Sequence, residues 1–175
     1  EKAVGLLRHE RRANGYEVPH VMMWDIRGDR LLFDIKCMLG GRIYLSPDGR
    51  RFAAVNIDEK TKGVEIWDTS KRSEILALKG AALINNLQID ADFSRALTID
   101  AEGIVKLWDL ETGACLQAYS IGETTGREDI RFFPDLTKAL ISNCGIKNLM
   151  RVMDLANGRI LASIGSLERV NPRQD

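Results

Sequence analysis

The chain has 175 residues, 45% hydrophobic and 29% charged, which is the composition of a soluble globular protein rather than of a disordered segment. Its 25 basic and 25 acidic residues cancel, so bulk charge gives no argument for binding nucleic acid or an anionic membrane. No apolar run approaches the roughly 20 residues that a membrane-spanning helix needs. Three widely spaced cysteines do not resemble a disulfide framework, and we expect an intracellular, cytoplasmic location.

The first predicted unit covers about residues 3–36 and contains three strands. Residues 3–7 are mainly apolar and lie where the second strand of a unit belongs, so this unit lacks its first strand. Residues 8–19 are mostly polar and form a longer connection than its counterparts, and we expect a surface loop there. A strand that ends at Trp24 and Asp25 follows.

A short strand that ends in an aromatic residue and Asp recurs along the chain. Its copies end in Trp24-Asp25, Trp67-Asp68, Trp108-Asp109 and, with Met replacing Trp, Met153-Asp154. The aromatic column is therefore spaced by 43, 41 and 45 residues, which predicts one supersecondary unit used several times. Two more apolar columns lie eight and eleven positions after it and define a further strand: Leu32, Ile75, Leu116 and Leu161, then Ile35, Leu78, Tyr119 and Ile164.

Each later unit also carries two strands joined by a polar turn ahead of the aromatic column. Ile43 and Leu45, for example, precede Pro47-Asp48, and an apolar run follows. Four short strands per unit are therefore predicted. The complete units are expected at about residues 42–79, 85–120 and 128–165, and a tail at 166–175 is expected to leave the fold.

Turn chemistry supports most of the predicted hairpins. Asp48-Gly49 and Asn157-Gly158 are dipeptides that tight hairpins favour, and Thr112-Gly113 lies in the same column as Asn157-Gly158. Lys71-Arg72 interrupts this column in the second unit. We therefore expect a different turn at Lys71-Arg72.

These residues resemble the WD-repeat β-propeller family. The resemblance is carried by Ile43-Tyr44-Leu45-Ser46-Pro47-Asp48-Gly49, by Val64-Glu65-Ile66-Trp67-Asp68 and by the copy that ends at Asp109, and it covers about residues 3–165. It implies an all-β fold of β-propeller blades, each a four-stranded antiparallel sheet, around a central channel. Fifteen predicted strands make about 3.75 blades, an incomplete ring. An open arc exposes apolar faces, so the remaining blades are expected from a longer chain or from a second copy.

The chain departs from the family pattern in its polar network. Typical repeats carry a Gly-His pair whose histidine is bonded with a Ser or Thr, the Trp and an Asp. Here neither His9 nor His20 lies at that position, and Glu102 occupies the place of the Asp. We therefore expect these blades to depend more on apolar packing.

Repetition argues against catalysis. The four Asp residues of the repeat are explained by turn formation, and the Trp column is explained by packing. Only His9 and His20 are available as imidazoles, so neither a nucleophile triad nor a zinc site can be assembled. Cys115 lies in a strand column and is expected to be a small packing residue. We predict no catalytic, cofactor-binding or metal-binding residue, and hence no enzyme.

The resemblance places partner contacts on the face formed by the loops between fourth and first strands and between second and third strands. Arg and Tyr are favoured in interface centres. The residues expected to bind a protein partner are Arg11, Arg12, Tyr16, Lys60, Lys62 and Arg127. The resemblance places eight further residues on the same face: Glu59, Asp100, Glu102, Glu123, Thr124, Glu128, Asn143 and Lys147.

The resulting functional prediction is a non-catalytic protein-protein interaction scaffold. The alternative is a sensor or autoinhibitory arm of a larger signalling protein whose nucleotide-binding or effector domain lies outside this segment. Both rest on fold analogy. Nucleic-acid and membrane partners are not expected.

Overall fold

The computed structural model describes residues 2–11, 17–36, 39–56, 63–79, 83–122, 127–144 and 149–165. Every regular element in these ranges is a β-strand, which confirms the predicted all-β class. None of these ranges contains a helix long and apolar enough to cross a membrane. The tail at 166–175 lies outside the described residues.

Fifteen strands form four sheets, each an antiparallel meander in chain order. Sheet I contains β1 (Lys2–Arg11), β2 (Glu17–Asp25) and β3 (Arg30–Lys36). Sheet II contains β4 (Leu39–Leu45), β5 (Arg51–Asn56), β6 (Gly63–Asp68) and β7 (Ser73–Lys79). Sheet III contains β8 (Ile84–Ile89), β9 (Arg95–Asp100), β10 (Ile104–Asp109) and β11 (Cys115–Ser120). Sheet IV contains β12 (Asp129–Phe132), β13 (Lys138–Cys144), β14 (Leu149–Asp154) and β15 (Ile160–Ile164).

These sheets have the organisation of propeller blades, three with four strands and one with three. Within the described ranges they do not close a ring. Consecutive short strands joined by tight turns make this architecture local in sequence, so each sheet forms from about 40 neighbouring residues. The fold class predicted from the repeat is therefore the one observed.

The first hairpin is longer than the sequence suggested. Strand β1 continues to Arg11 and β2 begins at Glu17, and these two residues pair across the hairpin. The loop expected over residues 8–19 was therefore wrong at both ends. Polar residues on two paired strands satisfy their backbone groups in the ladder, so polarity alone did not mark a loop here.

A β-bulge recurs between the last two strands of every sheet. In sheet III, Leu107 pairs with Gln117 and Trp108 pairs with Cys115, which leaves Leu116 as the extra residue. The same position is held by Leu32, Ile75 and Leu161 in the other sheets. The column eight places after the aromatic residue is therefore the bulge column. Such a bulge increases the local twist of the last strand of the sheet, which we call the outer strand.

Cys115 is a free, exposed thiol on this outer strand. The expectation that it is a small packing residue was wrong. Outer strands have no neighbour on their far side, and all residues of β15 and all but one of β11 are exposed. An apolar residue type in an outer-strand column therefore does not imply burial.

The turn after each repeated Asp has one geometry in all four sheets. The residue four places after the Asp has positive φ: Asp29 (44°), Arg72 (57°), Gly113 (75°) and Gly158 (73°). The backbone N–H of Arg72 donates to the carbonyl of Asp68, as Gly113 does to Asp109. The expectation of a different turn at Lys71-Arg72 was therefore wrong. Arg72 adopts the left-handed conformation that glycine holds elsewhere.

Apolar clusters join each sheet to the next. We call the side of a sheet that points to the following sheet its forward face, and the opposite side its back face. Side-chain alternation lets one strand supply both faces. Between sheets I and II, Val21 and Met23 pack against Phe52 and Ala54. A second cluster joins sheets II and III. Between sheets III and IV, one cluster contains Leu97, Ile99, Val105 and Leu107 together with Ile130, Ala139, Ile141 and Met153.

Candidate interaction surface

Two edges of the stacked sheets carry the connections between strands. We call the turn edge the one formed by residues 26–29, 46–50, 69–72, 90–94, 110–114, 133–137 and 155–159. These residues join first to second and third to fourth strands in sheets II to IV, and β2 to β3 in sheet I. The connection edge is the opposite one, and its described connecting residues are 83, 101–103, 121–122 and 127–128. The predicted partner contacts belong to the connection edge.

Most of the predicted contact residues cannot be placed. Arg12, Tyr16, Lys60 and Lys62 lie outside the described residues, as do Glu59, Glu123, Thr124 and Lys147. Arg11 is the last residue of β1. Arg127 is exposed and lies two residues before β12, so it is at the connection edge as expected. Asn143 lies within β13.

Two residues expected on the contact face are buried. Asp100 is 3% exposed and Glu128 is 2% exposed. The carboxylate of Asp100 accepts hydrogen bonds from the backbone N–H groups of Glu102 (3.0 Å) and Ile104 (2.9 Å), so it holds the turn between β9 and β10. Asp and Asn commonly bond their own backbone in this way. The expectation that Asp100 and Glu128 lie on the contact face was therefore wrong, because both are buried. Glu102 is exposed.

The sequence carried a signal for the turn at Asp100. Gly103 has φ 76°, and its backbone N–H donates to the carbonyl of Asp100. The order Asp, two residues, Gly is therefore the same turn chemistry that was recognised in the hairpins. It marks Asp100 as a turn residue and leaves Glu102 as the residue that projects from this edge.

A buried polar bond joins the Trp column to the neighbouring strand in sheet III. The indole Nε1–H of Trp108 donates to Oγ1 of Thr98 at 2.9 Å, and both residues are buried. Sheet IV has Ile141 and Met153 at the matching positions, both fully buried, so apolar contact replaces the bond there. Sheet III therefore combines the polar bond with apolar packing.

The other two Trp residues are less enclosed. Trp67 is half-buried, stacks on Phe52 with ring centroids 5.9 Å apart, and donates from Nε1 to Glu65 at 2.9 Å. Trp24 is also half-buried. These indoles lie on back faces, the side that meets the preceding sheet. The aromatic column is thus an inter-sheet contact whose burial depends on the neighbour.

The repeated Asp residues organise the turn edge. Asp68 accepts hydrogen bonds from the backbone N–H groups of Ser70 and Lys71, both at 2.8 Å. Asp109 accepts them from Glu111 at 3.0 Å and Thr112 at 2.7 Å. Asp154 and Asp25 bond the backbone two residues ahead in the same way. These carboxylates therefore accept hydrogen bonds from the backbone of their own turns.

The same bonds lower the pKa of several of these carboxyl groups. The hydroxyl of Ser70 and the N–H of Lys71 lower the pKa of Asp68, and the N–H of Thr112 lowers that of Asp109. In the turns between first and second strands, backbone N–H groups of Arg50 and Thr137 lower the pKa of Asp48 and Asp135. Hydrogen bonds to the ionised form favour that form.

Acid is expected to destabilise the chain through these turns. A carboxyl group whose pKa is lower in the folded state contributes stability above its unfolded value of 3.8. That contribution is lost as the pH falls through the lower folded pKa. The D68N variant should therefore lose stability relative to the parent at neutral pH, and the gap should narrow below pH 3.8.

Urea unfolding as a function of pH measures this difference. Ser70→Ala is the matched control, because it removes only the hydroxyl donor to the same carboxylate. It should shift the midpoint in the same direction by less. A gap between Asp68→Asn and the parent that stays constant across the acid range would contradict the assignment.

A shallow cavity of about 260 Å³ opens on the turn edge between sheets II and III. Its lining residues are Arg51, Asp92, Phe93, Ser94, Asp109 and Glu111. The Arg51 guanidinium lies 5.0 Å from the centroid of the Phe93 ring and donates to the Phe93 carbonyl at 3.3 Å. The cavity is therefore lined by three carboxylates and by one guanidinium, which already contacts Phe93. The cavity suits polar or cationic groups rather than an anion.

No sequence pattern pointed to this cavity. Phe93 is 1% exposed and has φ 57°, a left-handed conformation that is unusual for a bulky residue. The matching turns have Gly49 and Leu136 at positive φ. A Phe in a turn position between polar neighbours was the available signal, but only the contact with Arg51 of the preceding sheet explains it.

No group of three or more His, Cys, Asp or Glu side chains in the described ranges is arranged to hold a metal ion. Neither a scan against protein-family models nor a search of curated proteins finds a match for this chain. The architecture and its two edges are therefore the basis for a functional proposal.

Proposed function

We propose that this chain is a non-catalytic interaction module of the WD-repeat type, a scaffold that displays loops to a protein partner. The observation that carries the proposal is the stacking of consecutive antiparallel sheets through apolar clusters. This stacking fixes the strand ends, so connections from several sheets are presented along shared edges. Loops on a rigid β scaffold are common sites of recognition.

The state of the carboxyl groups supports a non-catalytic role. The described Asp residues with shifted pKa values are all shifted down, by hydrogen bonds within their own turns. A general acid or base at neutral pH needs a pKa near 7. Groups held ionised by their own backbone are suited to forming turns rather than to moving protons.

The connection edge is the proposed docking surface. It carries Arg127 next to β12, Glu102 between β9 and β10, and the end of β1 at Arg11. Arginine is enriched among residues that dominate protein interfaces. A protein partner with an acidic patch complements these arginines, and the exposed Glu102 adds charge specificity.

Charge reversal tests this surface. Changing Arg11, Arg12 and Arg127 to Glu should weaken partner binding at least about 100-fold, since single interface arginines often contribute 1 to 2 kcal/mol. Partners are captured from extracts of the source cells on the immobilised parent chain. Their dissociation constants are then measured by titration against the parent and variant chains.

The matched control reverses three exposed arginines of the turn edge, Arg27, Arg50 and Arg159. It has the same change in net charge and should leave the affinity within a few-fold of the parent. Equal losses in both triple variants would show that bulk charge, and not the connection edge, governs binding. No loss in either would remove these arginines from the docking surface.

A further inference from the structure

The turn between β14 and β15 contains an Asn-Gly pair, Asn157-Gly158. The side-chain amide of an Asn is open to attack by the backbone nitrogen of the next residue, and Gly hinders this attack least because it has no Cβ atom. Asn157 is exposed, so water reaches it. A second pair, Asn14-Gly15, lies outside the described residues. The turn at 157–158 is therefore a candidate site of deamidation, the conversion of the side-chain amide to a carboxylate.

Hydrogen bonds hold both reacting groups of this pair. The attacking group is the backbone nitrogen of Gly158, whose N–H donates to the Asp154 carbonyl at 2.8 Å. The amide is fixed at both ends, because Nδ2 of Asn157 donates to Oδ2 of Asp154 at 3.3 Å and Oδ1 accepts from the Arg159 N–H at 2.9 Å. Removing the proton from the nitrogen breaks the first of these bonds, and expelling Nδ2 as ammonia breaks the second. The folded turn therefore opposes both steps of the reaction.

The matching turn of sheet III has the same frame without the reactive amide. Both turns begin with Asp-Leu and have a Gly at positive φ four places after the Asp, Gly113 at 75° and Gly158 at 73°. Thr112 occupies the position of Asn157, and its hydroxyl donates to Oδ1 of Asp109 at 2.8 Å. A side chain that bonds the repeated Asp is therefore common to the two turns, and sheet IV supplies that bond with a group that can react.

We propose that Asn157 is a deamidation site whose rate is set by opening of the β14–β15 turn, and that Asp154 is the residue that protects it. In the reaction the Gly158 nitrogen, having lost its proton to hydroxide, bonds to Cγ of Asn157, while Nδ2 takes up a proton and leaves as ammonia. Water then opens the resulting succinimide ring at either carbonyl, which gives Asp or isoaspartate at this position. Water and hydroxide are the only co-reactants, so ageing of the chain drives the change.

Either product would weaken the turn. Deamidation replaces the Nδ2 donor by a carboxylate oxygen, which would face Oδ2 of Asp154 across the 3.3 Å that the hydrogen bond now spans. Two like charges this close repel each other. Isoaspartate also adds a carbon to the backbone next to Gly158, where an added Cβ would already collide with the Tyr119 ring of sheet III. Modification of Asn157 would therefore loosen the contact between sheets III and IV.

Peptide mapping by mass spectrometry, after incubation at mildly alkaline pH, tests the site. In urea, where the chain is unfolded, Asn157 should convert readily, with Asn14 as the internal reference for an Asn-Gly pair. In the folded chain the rate at Asn157 should be at least about 10-fold lower than in urea, because two hydrogen bonds to Asp154 must open first. Asn157→Thr copies the turn of sheet III, so this variant should fold and show no reaction in the turn.

Two matched variants separate local opening of the turn from general instability. Asp154→Ala removes the Oδ2 acceptor, and the rate at Asn157 in the folded chain should rise about 5-fold, as expected for one lost hydrogen bond. Asp109→Ala removes the same carboxylate from the turn of sheet III and should leave that rate unchanged. Equal acceleration by both variants would mean that the reaction follows global unfolding, which would overturn the proposal. Equal rates in the folded and urea-unfolded parent, or no reaction in urea, would overturn it as well.

Discussion

Replacing Trp108 by Ala is expected to lower the free energy of unfolding by about 3–5 kcal/mol, the usual cost of removing a buried aromatic side chain. Trp108 is 3% exposed and belongs to the cluster between sheets II and III. The substitution opens a cavity between two sheets and also leaves the Thr98 hydroxyl without the indole donor. Urea unfolding followed by circular dichroism measures the change.

Two milder variants separate packing from hydrogen bonding. Trp108→Phe keeps an aromatic ring but has no N–H, whereas Thr98→Val keeps the shape at position 98 and leaves the indole N–H unpaired. An unpaired buried donor costs about 1–3 kcal/mol, so Thr98→Val should cost less than Trp108→Ala. A Thr98→Val variant as unstable as Trp108→Ala would show that the bond, and not the packing, dominates.

Replacing Gly158 by Ala is expected to cost about 3 kcal/mol of stability. Gly158 has φ 73°, which costs about 1–2 kcal/mol for a residue with a Cβ atom. An added Cβ would also lie 2.6 Å from Cγ and Cε1 of Tyr119, closer than real contacts allow. Forced overpacking adds about 1–3 kcal/mol. The ring cannot easily retreat, because the Tyr119 hydroxyl donates to the Leu155 carbonyl at 3.1 Å.

Gly122 and Gly113 provide matched controls for this clash. Gly122 has φ 82° but nothing within 4 Å of an added Cβ, so Gly122→Ala should show the backbone strain alone, about 1–2 kcal/mol. At Gly113 the added Cβ meets the flexible end of Leu76 at 2.5 Å, and Gly113→Ala should fall between the two. Equal losses at Gly122 and Gly158 would contradict a contribution from Tyr119.

Both predictions concern contacts between sheets rather than within one. Trp108 packs toward sheet II, and Gly158 lies against Tyr119 of sheet III. Each sheet is a repeat unit of three or four strands that cannot bury its apolar faces alone, so it needs a neighbouring sheet. Stability should therefore depend mainly on the stacking that also positions the connection edge.

The sequence by itself determined the all-β class and the four repeated units. Alternation such as that of Ile104–Asp109 is local, because side-chain direction follows the pleat of the backbone. Turn positions were equally readable where Gly or Asp supplied the needed geometry, as at Gly113 and Asp109. These features depend on a few neighbouring residues, so one sequence suffices to predict them.

Only the tertiary structure decided which apolar columns are buried and which polar residues are exposed. Cys115 was expected to be a packing residue, and Leu116 belongs to an apolar column, but both are exposed on the last strand of their sheet. Asp100 was expected on the contact face but is buried in its own turn. Arg72 adopts a glycine-like conformation while its guanidinium donates to the Leu32 carbonyl of the preceding sheet. Burial and backbone strain are set by contacts with neighbouring sheets. They therefore cannot be predicted from the residues that are adjacent in sequence.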